Sequence, residues 1–546
     1  MQAQRQLGAA QRRRPAAAAA GRAARPGRAA LAVAAGEARS ANRSKWASGG
    51  APPPREQQGA AAAPGAAVAS GPPRSQAAPS PAGSSAQQQR EQPGSAHELV
   101  WAAAADLGPL FAAVDRRVAA NLARVQAAFR RARVGPHHFA GSTGYGHGDL
   151  GREALDTVMA DVMGAEAALV RIQFMSGTHA IAAGLFAALR PGDEMLAVAG
   201  KPYDTMEEVI GLRGTPGHGS LMEWGITYRE LPLAGDGGID WEGLAAAVVP
   251  GKTRVAHIQR SCGYALRPTL TVEQIGRAVQ VIKAQDPGVL VLVDNCYGEF
   301  TEELEPPAVG ADLAMGSLIK NAGGTLAPGG GYVAGRADLV AAVGARLAAP
   351  GIGTDAGCVP GSTLRTLFQG LFLAPQTTGE AIKGGRLVAE VMTRLGYAAT
   401  PGPLPGGALP QPPSMITAVT LGSREGMAAF CRGVQLACPV GSYIRPEPGV
   451  TAGYGDEVIF ADGTFIDGST AELSADGPLR PPFVVYCQGG THWTHWALAL
   501  ESALSALADA RVAPPTRAGA DDAGASAAQQ PAEQQQPQLS GAGAAG

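Results

Sequence analysis

At 546 residues, with 45% hydrophobic residues and a mean hydropathy near zero, the chain has the length and apolar content for two or more folded domains. A net charge of −2 excludes nucleic acid as the main partner, because phosphate backbones demand a basic surface, and no run of about 18 apolar residues exists to span a membrane. Six cysteines without a CxxC or a Cys/His pair at ligand spacing imply reduced thiols and no zinc site.

In chain order, residues 1–95 hold twelve Arg and one Lys against three Glu, a net +10, among Ala, Ser, Gln and Pro. Such a basic, acid-poor leader cannot bury a core. It resembles an organelle transit peptide, plastid rather than mitochondrial, delivering a soluble protein; a disordered tail without an address is the alternative. Leu107, Leu110, Phe111, Val114, Val118, Leu122, Val125 and Phe129 follow helical spacing and predict one or two helices, the core of an N-terminal arm over residues 96–150. A Gly-rich passage at 135–151 precedes alternating elements: strand 167–173, helix 179–189, strands 194–198 and 255–259, helix 274–283, then strands 289–293 and 313–316. That alternation predicts a large α/β domain, 151–375, built on a mostly parallel sheet. The strand 289–293 lacks polar alternation, as a central strand should. A turn at Thr377-Thr378-Gly379 and a bridging helix at 380–395 lead to strands at 415–421 and 483–487 and a helix at 424–435, a smaller C-terminal α/β domain over 376–510. Residues 511–546 read as a disordered tail, and their terminal Gly541-Ala-Gly-Ala-Ala-Gly follows no strand, so it is no dinucleotide fingerprint.

The chemistry lies in the motifs between these elements. Asp294 stands just past the strand 289–293, in Val-Asp-Asn-Cys-Tyr; the carboxyl end of a central parallel strand is where open α/β sheets bind ligands. Lys320 follows the next short strand in Gly-Ser-Leu-Ile-Lys-Asn. Singly, Asp294 reads equally as a helix N-cap and Lys320 as a surface lysine. Together they are the pair a pyridoxal-phosphate site needs: a lysine for the Schiff base and an acid to keep the pyridine nitrogen protonated.

Phe174-Met-Ser-Gly-Thr-His-Ala runs directly into a helix, where Ser176, Gly177 and Thr178 let backbone N–H groups approach an anion. It is a phosphate cup without a Walker lysine, or simply a capped helix. Tyr203, after the next strand, reads as a ring to stack on a flat cofactor or as a core tyrosine. Ser317, just before Lys320, offers a further hydroxyl to the phosphate or is an ordinary loop serine. His492 and His495 flank Trp493 with no third ligand nearby, so no metal is expected.

Seven motifs, in order, carry a resemblance: Gly144-Tyr-Gly-His-Gly-Asp-Leu-Gly-Arg152, Met175-Ser-Gly-Thr-His-Ala-Ile181, Gly200-Lys-Pro-Tyr-Asp-Thr205, Ile258-Gln-Arg-Ser-Cys-Gly-Tyr264, Val293-Asp-Asn-Cys-Tyr-Gly-Glu-Phe300, Gly316-Ser-Leu-Ile-Lys-Asn321 and Glu472-Leu-Ser-Ala-Asp-Gly-Pro-Leu-Arg-Pro481. Across residues 101–507 the chain resembles the methionine gamma-lyase-like family, also named after aluminium resistance and related to the cystathionine lyases. The resemblance implies the PLP-dependent transferase fold of the aspartate-aminotransferase type (fold type I). Lys320 would be the Schiff-base lysine, Asp294 the partner of the pyridine nitrogen, Gly177 and Thr178 phosphate ligands, and Tyr203 the ring over the cofactor. Tyr145 and Arg152 would reach the phosphate of a neighbouring subunit, making a homodimer or homotetramer the working form. Two positions depart from the family pattern: Cys262, where an arginine is expected, and His147, where an aromatic is expected. For the substrate carboxylate an arginine fork suits best, with Arg480 first and Arg365 and Arg445 behind it. The implied reaction is carbon–sulfur lysis of a cystathionine-, methionine- or cysteine-type amino acid. Transamination, aldol cleavage and a catalytically silent PLP-binding role share the same machinery.

Overall fold

The computed structural model describes residues 95–403 and 414–515. The leader with its transit-peptide reading, and most of the tail, lie outside the described residues. The helical spacing near the start is realised as two helices, Ala96–Asp106 and Gly108–Arg131, the first capped by Ser95 accepting from the Glu98 N–H.

The larger sheet has seven strands: β1 (Ala167–Arg171), β2 (Glu194–Ala197), β3 (Thr227–Glu230), β4 (Thr253–Gln259), β5 (Leu290–Asp294), β6 (Leu313–Ser317) and β7 (Gly331–Gly335). Their order is β1-β7-β6-β5-β4-β2-β3, with β7 antiparallel to both neighbours and every other pair parallel. Fully buried β5 is the middle strand, which explains its unbroken apolar run. Because β7 reverses between β1 and β6, strands β1, β2, β4, β5 and β6 all point their carboxyl ends to one edge.

Six further strands make an antiparallel sheet: β8 (Ala398–Thr400), β9 (Ile416–Thr420), β10 (Gly449–Val450), β11 (Glu457–Ala461), β12 (Ser474–Pro478) and β13 (Val484–Gln488). They are ordered β10-β11-β12-β13-β9-β8. One face packs Ala475, Val485 and Cys487 into a core with Phe430 and Trp496, supplied by the helices Arg424–Leu436 and Trp493–Asp509.

The expected turn at Thr377-Thr378-Gly379 is not there. A single 34-residue helix, Gly361–Arg394, runs through it and through Pro375. The glycines serve packing instead of turning: a Cβ at Gly379 would sit 2.2 Å from Val118, and one at Gly384 would sit 2.4 Å from Trp496. Tertiary contact overrides local propensity here. Strands β3, β7, β8, β10, β11 and β12 were not foreseen. Ser-Ala-Asp-Gly-Pro has no apolar alternation, yet all five residues of β12 are buried between sheet neighbours.

Candidate active site

The loops after β1, β2, β4, β5 and β6 all contribute to one cavity of about 410 Å³, a size suited to a cofactor with a small substrate. After β1 comes Ser176, whose hydroxyl accepts from the His179 N–H at 3.0 Å and starts the helix Gly177–Ala188. The first helical turn has no internal acceptors for its N–H groups, so those of Gly177 and Thr178 are available to an anion in the cavity they line. Gly177 is required for this approach: a Cβ there would lie 2.9 Å from the Cβ of Ser317 at the end of β6.

Asp294 ends β5, is 5% exposed, and accepts from the Cys296 N–H at 3.0 Å. Burial pushes its carboxyl up, and Lys320 opposes that shift. The Lys320 Nζ lies 4.2 Å from the centre of the Tyr297 ring. Burial works against its charge, but the acidic groups Cys296, Tyr297, Asp294 and Tyr454 outweigh it and hold the ammonium above the ordinary lysine range. Burial lifts Cys296 and Tyr297 themselves, which keeps them neutral at pH 7, so the Asp294 carboxylate is the charge that matters. Tyr297 occupies the left-handed region at φ 68°, strained backbone that places its ring under the lysine, and its hydroxyl accepts from Thr470 at 2.9 Å.

Tyr203 follows β2 and lines the cavity, its hydroxyl 2.8 Å from that of Tyr454. Gly263 packs against it; a Cβ there would lie 2.8 Å from the Tyr203 ring. The cavity thus brings together Ser176, Gly177, Thr178, Tyr203, Asp294, Ser317 and Lys320. It also contains residues to which the sequence reading gave no role: Tyr264, Tyr454, Asp476 and Gln488. Tyr264 and Asp476 stood inside quoted motifs, which was the available signal. Tyr454 and Gln488 stood in none.

Arg365 and Arg480 are elsewhere, and Tyr145 and Arg152, expected at the phosphate of a neighbouring subunit, lie outside this chain's own cavity. Arg152 is 1% exposed and donates to the carbonyls of Gly357 (2.9 Å) and Asp355 (3.2 Å), bracing a loop. Tyr145 is 65% exposed and stacks on His147, centroids 5.3 Å apart. Arg365 lies 6.0 Å from the Phe139 ring, and Arg480 is paired with Asp456 at 2.6 Å. None of the four lines the cavity, where Lys320 is the one cation among the described residues. Cys262, at a departure from the family pattern, is buried in an apolar cluster with Ile416 and Tyr486.

Behind the lysine runs a buried polar network. Asn321 donates to the Glu299 carbonyl at 2.9 Å, and Tyr332 donates to Glu299 Oε1 at 2.7 Å. Among the described residues Oε2 of Glu299 has no partner. Burial, with the Tyr332 hydrogen bond opposing it, lifts this carboxyl from 4.5 to about 8. A raised folded-state pKa means that the stabilisation is complete below the unfolded value of 4.5 and is lost as pH rises through about 8. Glu299→Gln is therefore expected to flatten the stability loss between about pH 5 and 9, by on the order of 4 kcal/mol. Urea unfolding at both ends of that range checks this; equal slopes in wild type and variant would refute it.

A model of the family described as methionine gamma-lyase matches residues 96–508. The chain belongs to the methionine gamma-lyase family. The uncharacterized protein YnbB of Bacillus subtilis is 45% identical over 403 residues, 74% of this chain and 94% of its own. A solved structure from Listeria monocytogenes, named a candidate cystathionine beta-lyase involved in aluminium resistance, is 43% identical with a TM-score of 0.71, covering 75% of this chain and 99% of that one. A carbon–sulfur lyase involved in aluminium resistance from Clostridium novyi is 40% identical with a TM-score of 0.70, covering 75% and 95%. Family membership makes the protein a PLP-dependent lyase of the fold-type-I α/β class.

The site fits pyridoxal 5′-phosphate, the cofactor of the methionine gamma-lyase family. The Gly177 helix start and Ser317 form a cradle that any larger residue at 177 would fill, and Asp294 and Lys320 open on the same cavity. The plastid address expected for the leader is overturned: the relatives are Bacillus, Listeria and Clostridium proteins, from bacteria that have no plastids. No helix among the described residues is long and apolar enough to cross a membrane.

Proposed function

We propose that this protein cleaves the carbon–sulfur bond of a sulfur amino acid of the cystathionine, methionine or cysteine type, with Lys320 holding the cofactor and then moving the substrate's Cα proton. The observation that carries this reading is the opening of Lys320, Asp294 and the Gly177–Ala188 helix start on one cavity. When bound, pyridoxal phosphate supplies an electron sink for negative charge at the substrate Cα. The chain's own groups do the rest. Gly177, Thr178 and Ser317 bind the phosphate, with the helix start adding its partial positive charge. Asp294, held by the Cys296 N–H, keeps a ring nitrogen protonated. Tyr203 orients the flat ring, and Ser176 holds the first helical turn in place.

For the substrate carboxylate, Arg480 remains our choice. It reaches the Tyr264 carbonyl at 3.4 Å, beside the cavity, and exchange of its Asp456 partner for the substrate would free it. Exposed Tyr145 is the group offered to a neighbouring copy in a homodimer or homotetramer. The test is to supply purified holoenzyme with cystathionine, methionine and cysteine. Lysis releases a keto acid with stoichiometric ammonia. Transamination would yield keto acid without net ammonia, and aldol cleavage would yield neither; either result refutes the proposal.

A further inference from the structure

The wall of the cavity built by the antiparallel sheet carries groups that cofactor binding does not use. Strand periodicity turns Ser474 and Asp476 of β12, and Tyr486 and Gln488 of β13, to the cavity side. Asp476 is 1% exposed and Gln488 3%. Asp476 Oδ1 accepts from the Tyr264 hydroxyl at 2.7 Å, while Oδ2 accepts from Gln488 Nε2 at 2.7 Å and from the Ser474 hydroxyl. An ionised carboxylate only accepts, so the amide of Gln488 must present its NH₂ to Asp476 and turn its oxygen away. That oxygen is buried and has no hydrogen-bond partner among the described residues.

The charges on this wall are equally one-sided. Asp462 also lines the cavity, and among the described residues neither it nor Asp476 takes part in an ion pair. Lys320, the one cation of the lining, has Asp294 as its counter-ion. A buried acceptor without a donor, beside a carboxylate without a cation, is costly unless a ligand supplies both.

We propose that this wall binds the leaving-group end of the substrate and selects sulfur amino acids whose thiol half bears a distal ammonium, which pairs with Asp476 and donates to Gln488 Oε1. This rests on the lyase reading for the direction in which the substrate lies. A neutral alkyl thiol half would leave the Gln488 oxygen without a donor and the Asp476 carboxylate without a cation, so the discrimination expected is that of a charged hydrogen bond, about tenfold or more.

The probes are S-(2-aminoethyl)-L-cysteine and S-propyl-L-cysteine, which match in length and differ only in ammonium for methyl. Spectral titration of the holoenzyme's cofactor band at about pH 8 reads binding, and keto-acid release reads cleavage. At that pH Asp476, which burial lifts to about 6, is ionised. The wild type is expected to bind the aminoethyl probe about tenfold or more tightly, and Asp476→Asn and Gln488→Leu each to shrink that ratio to about threefold or less. Equal binding of the two probes by wild type overturns the proposal. So does an Asp476→Asn variant that weakens both probes alike, since that marks a merely structural hold on Tyr264. If neither probe releases keto acid while the binding preference persists, the lyase reading fails and the subsite stands; equal binding with keto acid from both is the reverse.

Discussion

Lys320→Ala is expected to lower keto-acid release by at least about a thousandfold, because in the proposed function one side chain supplies both the cofactor's covalent anchor and the base for the Cα proton. The geometry makes substitution by a neighbour ineffective. No other amine lines the cavity among the described residues, and the nearest aromatic hydroxyls, Tyr297 and Tyr454, are held neutral by burial. Sodium borohydride should fix the cofactor to the peptide containing Lys320 in wild type and leave the variant unlabelled. A labelled variant, or activity within tenfold of wild type, would remove the basis of the proposed function. The fold should survive the change, since among the described residues the Lys320 side chain makes no hydrogen bond to the core, and the adjacent Asn321 keeps its tie to Glu299.

Asp294→Asn should reduce kcat by roughly a hundred- to a thousandfold, the scale of losing one preorganised electrostatic partner of a developing charge. The substitution is close to isosteric. An asparagine Oδ1 still accepts the Cys296 N–H, so the loop after β5 keeps its shape. What is lost is the negative charge, and with it the means of keeping a ring nitrogen protonated. Burial disfavours the Asp294 carboxylate, but that carboxylate is also the counter-ion of the Lys320 ammonium, so the neutral amide should lower the melting temperature of the cofactor-free protein. The expected signature is thus a fall in kcat with little change in KM. A kcat within threefold of wild type would exclude this role for Asp294.

Much of the site was legible because its main residues sit at ends of parallel strands, each announced by its own local pattern. The apolar run of β5 pointed to Asp294, the small residues before a helix pointed to Gly177 and Thr178, and Lys320 followed a short strand in the same rhythm. Three things were not legible. Arg480 could be named as a cation in the second region, but its engagement by Asp456 depends on how β11 and β12 pair. Thr377-Thr378-Gly379 looked like a turn, because sequence does not show Val118 pressed against Gly379. The bacterial relatives removed the plastid address that the leader's composition had suggested.

The sequence by itself determined most of the large, mostly parallel sheet and the family, and it placed Lys320 and Asp294 at the ends of neighbouring strands, since each rests on contiguous residues with a readable local pattern. The second wall of the cavity was decided only by the tertiary structure. Asp476 meets both Tyr264 and Gln488 because β12 and β13 pair in one register and turn alternate side chains toward a loop from the other sheet. Strand pairing is a long-range choice, and β12, with only Ala475 and Gly477 on its core face, carries too weak an apolar signal to be read as a strand.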